Sequence, residues 1–318
     1  MICRTLIGTA AKKTRMPVMG QRRKILKFKI VYYSGTGCTK YAAGVLSEKL
    51  REKGVETVTE RIFAGSQDND EDFDHLILMF PIHAVNAPKR VVEYLKAMAE
   101  VSGLEAAILC TSGGGDMISN LGAIYRPCEL LEKKGYRVTY ENHLITPSTI
   151  IYNQREALAE ELLKVLPVKL QRIADDLTAG TEFKYQRNPI SRAVSRVGRL
   201  EQMNAFRFGT MMRVSDRCIS CGKCADLCPE GNIVMDGGKP KFSNQCSMCL
   251  GCVYACPEDA LASLFLPKLV NRNKFDLDRL IAQSGERKPL HESRIFAYTT
   301  STFSNARKYI LQEKNKYE

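Results

Sequence analysis

The sequence predicts an α/β protein: a five-stranded parallel sheet with helices on both faces, followed by a small α+β domain. Two observations carry this. From Lys27 to about Gly180, short apolar runs alternate with stretches of helical period, the form a parallel sheet takes when helices cross between its strands. From Cys218 to Cys256 one cysteine pattern occurs twice, and the residues between the copies, NIVMDGGKPKFSN, read as two short strands about an Asp-Gly-Gly turn.

The elements follow in order. The first strand is Phe28 to Tyr33 (FKIVYY), and the loop SGTGCT (Ser34 to Thr39) leads from it into a helix from Thr39 to Lys53 with Ala42, Leu46 and Leu50 on one face. Strands follow at Val55 to Phe63, Leu76 to Phe80, Ala106 to Thr111 and Tyr136 to Ile145. Helical periods occupy Pro88 to Glu100, Met117 to Lys134 and Arg155 to Ala179, the last with a bend expected at Pro167. An open sheet of this kind binds ligands outside the carboxyl ends of its strands.

A length of 318 residues admits two domains, each with its own core. The divisions expected are a basic N-terminal extension (1–26), the α/β domain (27–180), a basic linker (181–213), the cysteine-rich domain (214–265) and a C-terminal extension (266–318). The linker patterns SRAVSRVGRL and MNAFRFGTMMR read as a helix lying across the next domain, and the tail carries helical patterns at Asp276 to Gln283 and Ser304 to Lys314.

The net charge of +12 is concentrated rather than spread. Residues 1–29 hold nine Lys or Arg and no acid, residues 183–217 hold eight against two acids, and the remainder sums to −3. The bulk is near neutral, and no stacking aromatics accompany the basic runs, so nucleic-acid binding is not expected. The leader MICRTLIGTAAKKTRMPVMGQRRK lacks acids but is poor in Ser and shows little amphipathic period, so it reads as a solvated tail or as sequence ahead of a later start at Met16 or Met19. No stretch approaches the roughly 18–20 apolar residues of a membrane span, no secretory h-region is seen, and a reducing cytoplasmic location is expected.

Eight of the twelve cysteines lie in CISCGKCADLCP, from Cys218, and CSMCLGCVYACP, from Cys246, the same CxxCxxCxxxCP pattern 28 residues apart. Three thiolates two residues apart can hold three corners of a [4Fe-4S] cubane, and the fourth, with its proline, starts a short helix directed to the other cluster. One cluster is therefore expected on Cys218, Cys221, Cys224 and Cys256, and the other on Cys246, Cys249, Cys252 and Cys228. Paired CxxC motifs also occur in zinc ribbons, but four-ligand zinc requires neither the repeated third cysteine nor the repeated Cys-Pro. Residues Val214 to Leu264 thus resemble a bacterial two-cluster ferredoxin, which implies one-electron carriers and no acid–base chemistry; no catalytic residue is assigned. Cys3, Cys38, Cys110 and Cys128 have no regular spacing and read as buried or incidental thiols.

The loop SGTGCT is neither a Walker P-loop nor a GxGxxG dinucleotide fingerprint. It places hydroxyls and glycines at a helix N-terminus, where free N–H groups and the helix dipole favour an anion. It is similar to the phosphate loop of flavodoxins, which implies flavin mononucleotide (FMN) held by Ser34, Gly35, Thr36, Gly37, Cys38 and Thr39, with Cys38 standing where Asn is common. Two further strand-end loops are expected to flank the flavin ring: Pro81, Ile82, His83 and Asn86 of PIHAVNAP, and Ser112, Gly113, Gly114 and Gly115 of SGGGD. The chain has no tryptophan and no aromatic just after Asp116, so the ring is expected to be less tightly sandwiched than in typical flavodoxins.

Taken together, Lys27 to Leu264 resemble the EFR1 family of flavodoxin–ferredoxin fusion proteins. The resemblance implies electron transfer, mostly in anaerobic microbes, between two [4Fe-4S] clusters and FMN, with redox partner proteins of unknown identity. Two other readings stay open: a flavin-dependent reductase of a small organic substrate fed by its own ferredoxin domain, and a redox-sensing or scaffold module with a vestigial flavin site.

Overall fold

Strands that are apolar along their whole length are buried on both faces, and the centre of the sheet shows this directly. In the computed structural model of the protein, which describes residues 25–68, 72–149, 156–265, 275–286 and 304–314, β3 (His75–Pro81) and β4 (Glu105–Ser112) are buried except at their ends. With β1 (Lys27–Tyr32), β2 (Glu56–Arg61) and β5 (Arg137–Ile145) they form one parallel sheet in the order β2-β1-β3-β4-β5. This is the flavodoxin-like doubly wound order.

Helices α1 (Cys38–Glu52) and α4 (Glu156–Thr178) cover one face, where Ala42, Leu46, Leu50, Leu166, Leu170 and Ile173 pack on Phe28, Ile30, Ile77 and Leu109. Helices α2 (Lys89–Ala97) and α3 (Ile118–Lys133) cover the other, with Val91, Leu95, Ile124 and Leu131 against Val31, Leu78, Phe80 and Ile108. Pro167 lies within α4, which continues past it.

The linker is mostly helical. Its long helix α5 (Pro189–Asn204) packs on α3 of the preceding domain, not across the cysteine-rich domain as the sequence led us to expect. Close approach decides this: a Cβ on Gly122 of α3 would lie 2.6 Å from the Ser191 carbonyl oxygen, and one on Gly198 of α5 would lie 2.1 Å from that of Ala84. The short α6 (Phe206–Thr210) then leads into the second domain.

That domain pairs β6 (Met212–Val214) antiparallel with β9 (Leu261–Ser263), and β7 (Ile233–Asp236) with β8 (Lys239–Phe242). Gly237 and Gly238 turn the β7–β8 hairpin with φ of 55° and 75°, values that favour glycine. Two short helices, α7 (Lys223–Asp226) and α8 (Gly251–Ala255), complete it. The tail helices pack rather than extend: α9 (Leu277–Glu286) and α10 (Ser304–Lys314) both lie on α4, with Leu280 and Ile310 buried. The basic leader lies outside the described residues.

Two buried histidines make the fold acid-sensitive. Burial lowers the pKa of His75 to about 4, assisted by the Arg137 charge, and that of His143 to about 3 by burial alone. Neither ring nitrogen of His143 has a hydrogen-bond partner. The unfolded chain binds more protons between the unfolded value of 6.5 and these folded values. Stability is therefore complete above about pH 6.5 and falls as pH drops through the folded values, by roughly 3 kcal/mol at most for His75 and about 5 kcal/mol at most for His143. Urea midpoints should fall across that window, and His143→Phe, which keeps the ring contact with Tyr185 at 5.1 Å, should flatten part of the fall; an unchanged slope would refute the assignment.

Candidate functional site

The phosphate-type loop is built by the end of β1. Tyr33 extends the strand by one bond, its N–H donating to the Met79 carbonyl at 2.9 Å, and Gly37 then turns the chain with φ 102° as the N-cap of α1. No side chain caps this helix and its first turn holds no acid, so its leading N–H groups stay open to an anion. Thr39 Oγ1 and Thr111 Oγ1, 2.8 Å apart, pin the loop to the end of β4. Burial pushes the Cys38 thiol up to about 12, which leaves it an inert neutral thiol.

A cavity opens here, at the carboxyl end of the sheet. It is lined by Ser34, Gly35, Thr36, Cys38 and Thr39, by Pro81, Ile82 and His83, and by Ser112 and Gly113. The lining also includes Thr111, the hydroxyl-rich run Thr146 to Thr149 after β5, and Cys249 from the second domain, none of which the sequence reading assigned to the flavin site. The signal for Thr146 to Thr149 was available, since TPST stands at the end of a strand like the loops that were singled out.

Four residues expected to hold flavin do not line the cavity. Gly37 caps α1 and faces Leu277. Asn86 Nδ2 donates to the carbonyls of Ala84 (2.8 Å) and Ser195 (2.9 Å), and its Oδ1 accepts from Ser195 Oγ at 2.5 Å, so its own turn and α5 together take up the carboxamide. Gly114 lies against Met117 and Asn120, and Gly115, at φ 60°, against Ile145. The turn between His83 and Asn86 holds Ala84 and Val85 at φ 45° and 57°, a strained left-handed pair that α5 clamps. His83 keeps its place on the cavity wall, edge-on to Tyr33 with ring centroids 5.9 Å apart, and burial holds it neutral with a pKa of about 4.

In the second domain each expected set of four cysteines rings one cavity. Cys218, Cys221, Cys224 and Cys256 line one with Ile219, Met235 and Leu261. Cys228, Cys246, Cys249 and Cys252 line the other with Phe208, Met212 and Ile233. Among the described residues no three His, Cys, Asp or Glu side chains converge on a point that could hold a single metal ion. Backbone N–H groups of Asn232, Met248 and Ala260 point at the sulfurs of Cys228, Cys246 and Cys256, at 3.4, 3.3 and 3.2 Å. The two sets differ in depth: Cys221 is exposed, whereas burial pushes the Cys246 and Cys249 thiols up to about 11 and 12. We call them the outer and inner sets.

The inner set abuts the α/β domain. A Cβ on Gly35 would fall 2.6 Å from Cβ and 2.9 Å from the carbonyl oxygen of Cys249, and one on Gly251 would fall 2.7 Å from the Gly35 carbonyl oxygen. Around this contact Tyr33 Oη donates to Glu230 Oε1 at 2.8 Å and lies 2.9 Å from Ser247 Oγ, while Arg90 Nε donates to Glu230 Oε2 at 3.1 Å. The Ala64 N–H donates to the Pro229 carbonyl at 2.8 Å. The domain junction is thus made by the loops that carry the two sites.

Sheet order and site together define a flavodoxin-like domain joined to a 4Fe-4S dicluster domain. Residues 210–257 match the family model of the 4Fe-4S dicluster domain, and its eight cysteines imply two [4Fe-4S] clusters. Among solved structures, the chain is similar to a flavodoxin of Streptococcus pneumoniae TIGR4 (14% identity, 48% of this chain and 99% of that one, TM-score 0.38). It is also similar to flavodoxin 1 of Bacillus cereus (16% identity, 48% and 97%, TM-score 0.35) and to a flavo di-iron protein mutant of Thermotoga maritima (15% identity, 50% and 36%, TM-score 0.35). No curated protein matches the chain.

Proposed function

We propose that this chain is an electron-transfer protein that passes electrons between two [4Fe-4S] clusters and a bound FMN. The observation that carries the reading is Cys249, a member of the inner cysteine set that also lines the flavin cavity and touches Gly35 of the phosphate-type loop. When bound, the clusters supply one-electron chemistry and the flavin one- or two-electron chemistry. The chain's own residues do the rest. The open N-terminus of α1 with Ser34 and Thr36 would hold the phosphate, Pro81 to His83 and Ser112 to Gly113 would flank the ring, and the Tyr33–Glu230–Arg90 network fixes the two loops against each other. Exposed Cys221 supports a route in which a partner meets the outer set first, followed by the inner set and the flavin. The test is anaerobic purification with iron, sulfide and released flavin measured per chain. About eight iron and one FMN are expected; eight iron with no flavin, even after its addition, would sink the flavin half of the proposal.

A reductase of a small organic molecule is the second reading, and one observation favours it. A cavity of about 450 Å³ between the domains is walled by both His83 and Cys246, so a bound molecule would lie beside both sites.

A further inference from the structure

Helix α5 is turned inside out. Ser191, Ser195, Gly198 and Gln202, spaced three and four residues apart, form the face that packs inward. Ser191 Oγ donates to the Ile118 carbonyl of α3 at 2.7 Å, Ser195 bonds Asn86, and Gln202 Nε2 donates to the carbonyls of His83 and Ala87 at 2.9 and 3.0 Å. The outer face carries Ile190, Val197, Leu200 and Met203, which are 61, 69, 61 and 70% exposed. Single exposed apolar residues are ordinary; a helix that buries serines and presents its aliphatic stripe to solvent is not.

The charge beside this ridge is equally one-sided. Arg192, Arg196, Arg199 and Arg207 are exposed, and none has an ion-pair partner among the described residues. By contrast Arg90, Arg126, Arg137, Arg172, Arg187 and Arg279 are all paired. Glu201 is the one acid in the sequence between residues 183 and 215. A counter-surface for this helix must therefore offer apolar depth and negative charge along the same line.

We infer that α5 docks this protein on an anionic lipid bilayer, lying in the headgroup plane. An amphipathic helix binds this way, its aliphatic side chains entering the acyl boundary while arginines beside them reach phosphates. A bilayer suits the outer surface of a single helix better than a protein does, because lipid needs no matching relief. Met203 and Phe206, at the C-terminal end of the ridge, also wall the cavity that reaches Cys246, so docking brings the inner cysteine loop towards the lipid surface. The inference stands on the helix alone and does not require the electron-transfer reading.

The test is sedimentation of the full-length, anaerobically purified protein with sucrose-loaded vesicles of phosphatidylcholine alone or mixed with phosphatidylglycerol. The expected result is binding to the mixed vesicles only, weakening as salt rises. Leu200→Glu and the double variant Arg196→Glu/Arg199→Glu should each bind about tenfold or more weakly, with iron content and circular dichroism unchanged because these side chains are exposed. No sedimentation with either vesicle would overturn the inference and assign the ridge to a protein partner. Equal binding to both lipids, or full binding by Leu200→Glu, would overturn it as well, the latter placing contact elsewhere, for instance on the basic leader.

Discussion

Cys249→Ser is expected to strip iron and flavin together, whereas Cys221→Ser should cost iron alone. Each variant removes one corner of one proposed cluster, so iron should fall from about eight to about four per chain in both. The difference lies in what surrounds each corner. Cys221 is exposed on the outer set. Cys249 is half-buried, lines the cavity proposed for flavin, and backs the loop at Gly35. Without its cluster the segment from Cys246 to Cys252 loses the bonds that hold its left-handed residues Met248 and Leu250, at φ 56° and 61°, and with them the wall of the flavin site. A rise of about tenfold or more in the FMN dissociation constant, close to 1.4 kcal/mol, is the expected size. Anaerobic flavin titration of the two variants beside the parent measures it. Equal flavin affinity in all three would mean that the two sites are neighbours without being coupled.

The parts of this site that were legible in the sequence are those set by local chemistry. A strand-to-helix turn with hydroxyls and glycines, a duplicated cysteine pattern and a Gly-Gly hairpin each need particular residues at particular spacings, and the central strands β3 and β4 announce themselves because burial on both faces leaves an apolar run. What was not legible is set by contacts distant in sequence. Gly35 reads as a phosphate-loop glycine, yet the atoms that would collide with a side chain there belong to Cys249. Asn86 reads as a loop amide free to meet a ligand, and the structure commits it to Ser195. The placement of α5 differs from the expected one for a physical reason: glycine and serine on its inner face allow α3 and the His83–Asn86 turn to approach closely. Lys29, in the middle of β1, is fully buried and is balanced by Asp68 at 2.8 Å and Glu60 at 3.2 Å, a pairing that strand periodicity does not reveal.

The junction itself is tested by Gly35→Ala and Gly251→Ala. Neither glycine has a positive φ, so alanine meets no backbone penalty at either position and the effect isolates the contact. At Gly35 the new methyl would stand 2.6 and 2.9 Å from Cys249 atoms, and at Gly251 2.7 Å from the Gly35 carbonyl oxygen. Backbone must move in each case, and overpacking of this kind costs about 1–3 kcal/mol. Because both methyl groups force apart the same pair of loops, the double variant should cost little more than the worse single one; independent sites would add. Gly44→Ala supplies the opposite sign. It lies within α1 with nothing within 4 Å of the added Cβ, and alanine there should stabilise the helix by roughly 0.5–1 kcal/mol. Anaerobic thermal unfolding, followed through both the cluster absorbance and far-ultraviolet circular dichroism, separates these outcomes. Should Gly35→Ala prove as well tolerated as Gly44→Ala, the two loops are not in contact in solution, and the proposed route from the inner cluster to the flavin loses its support.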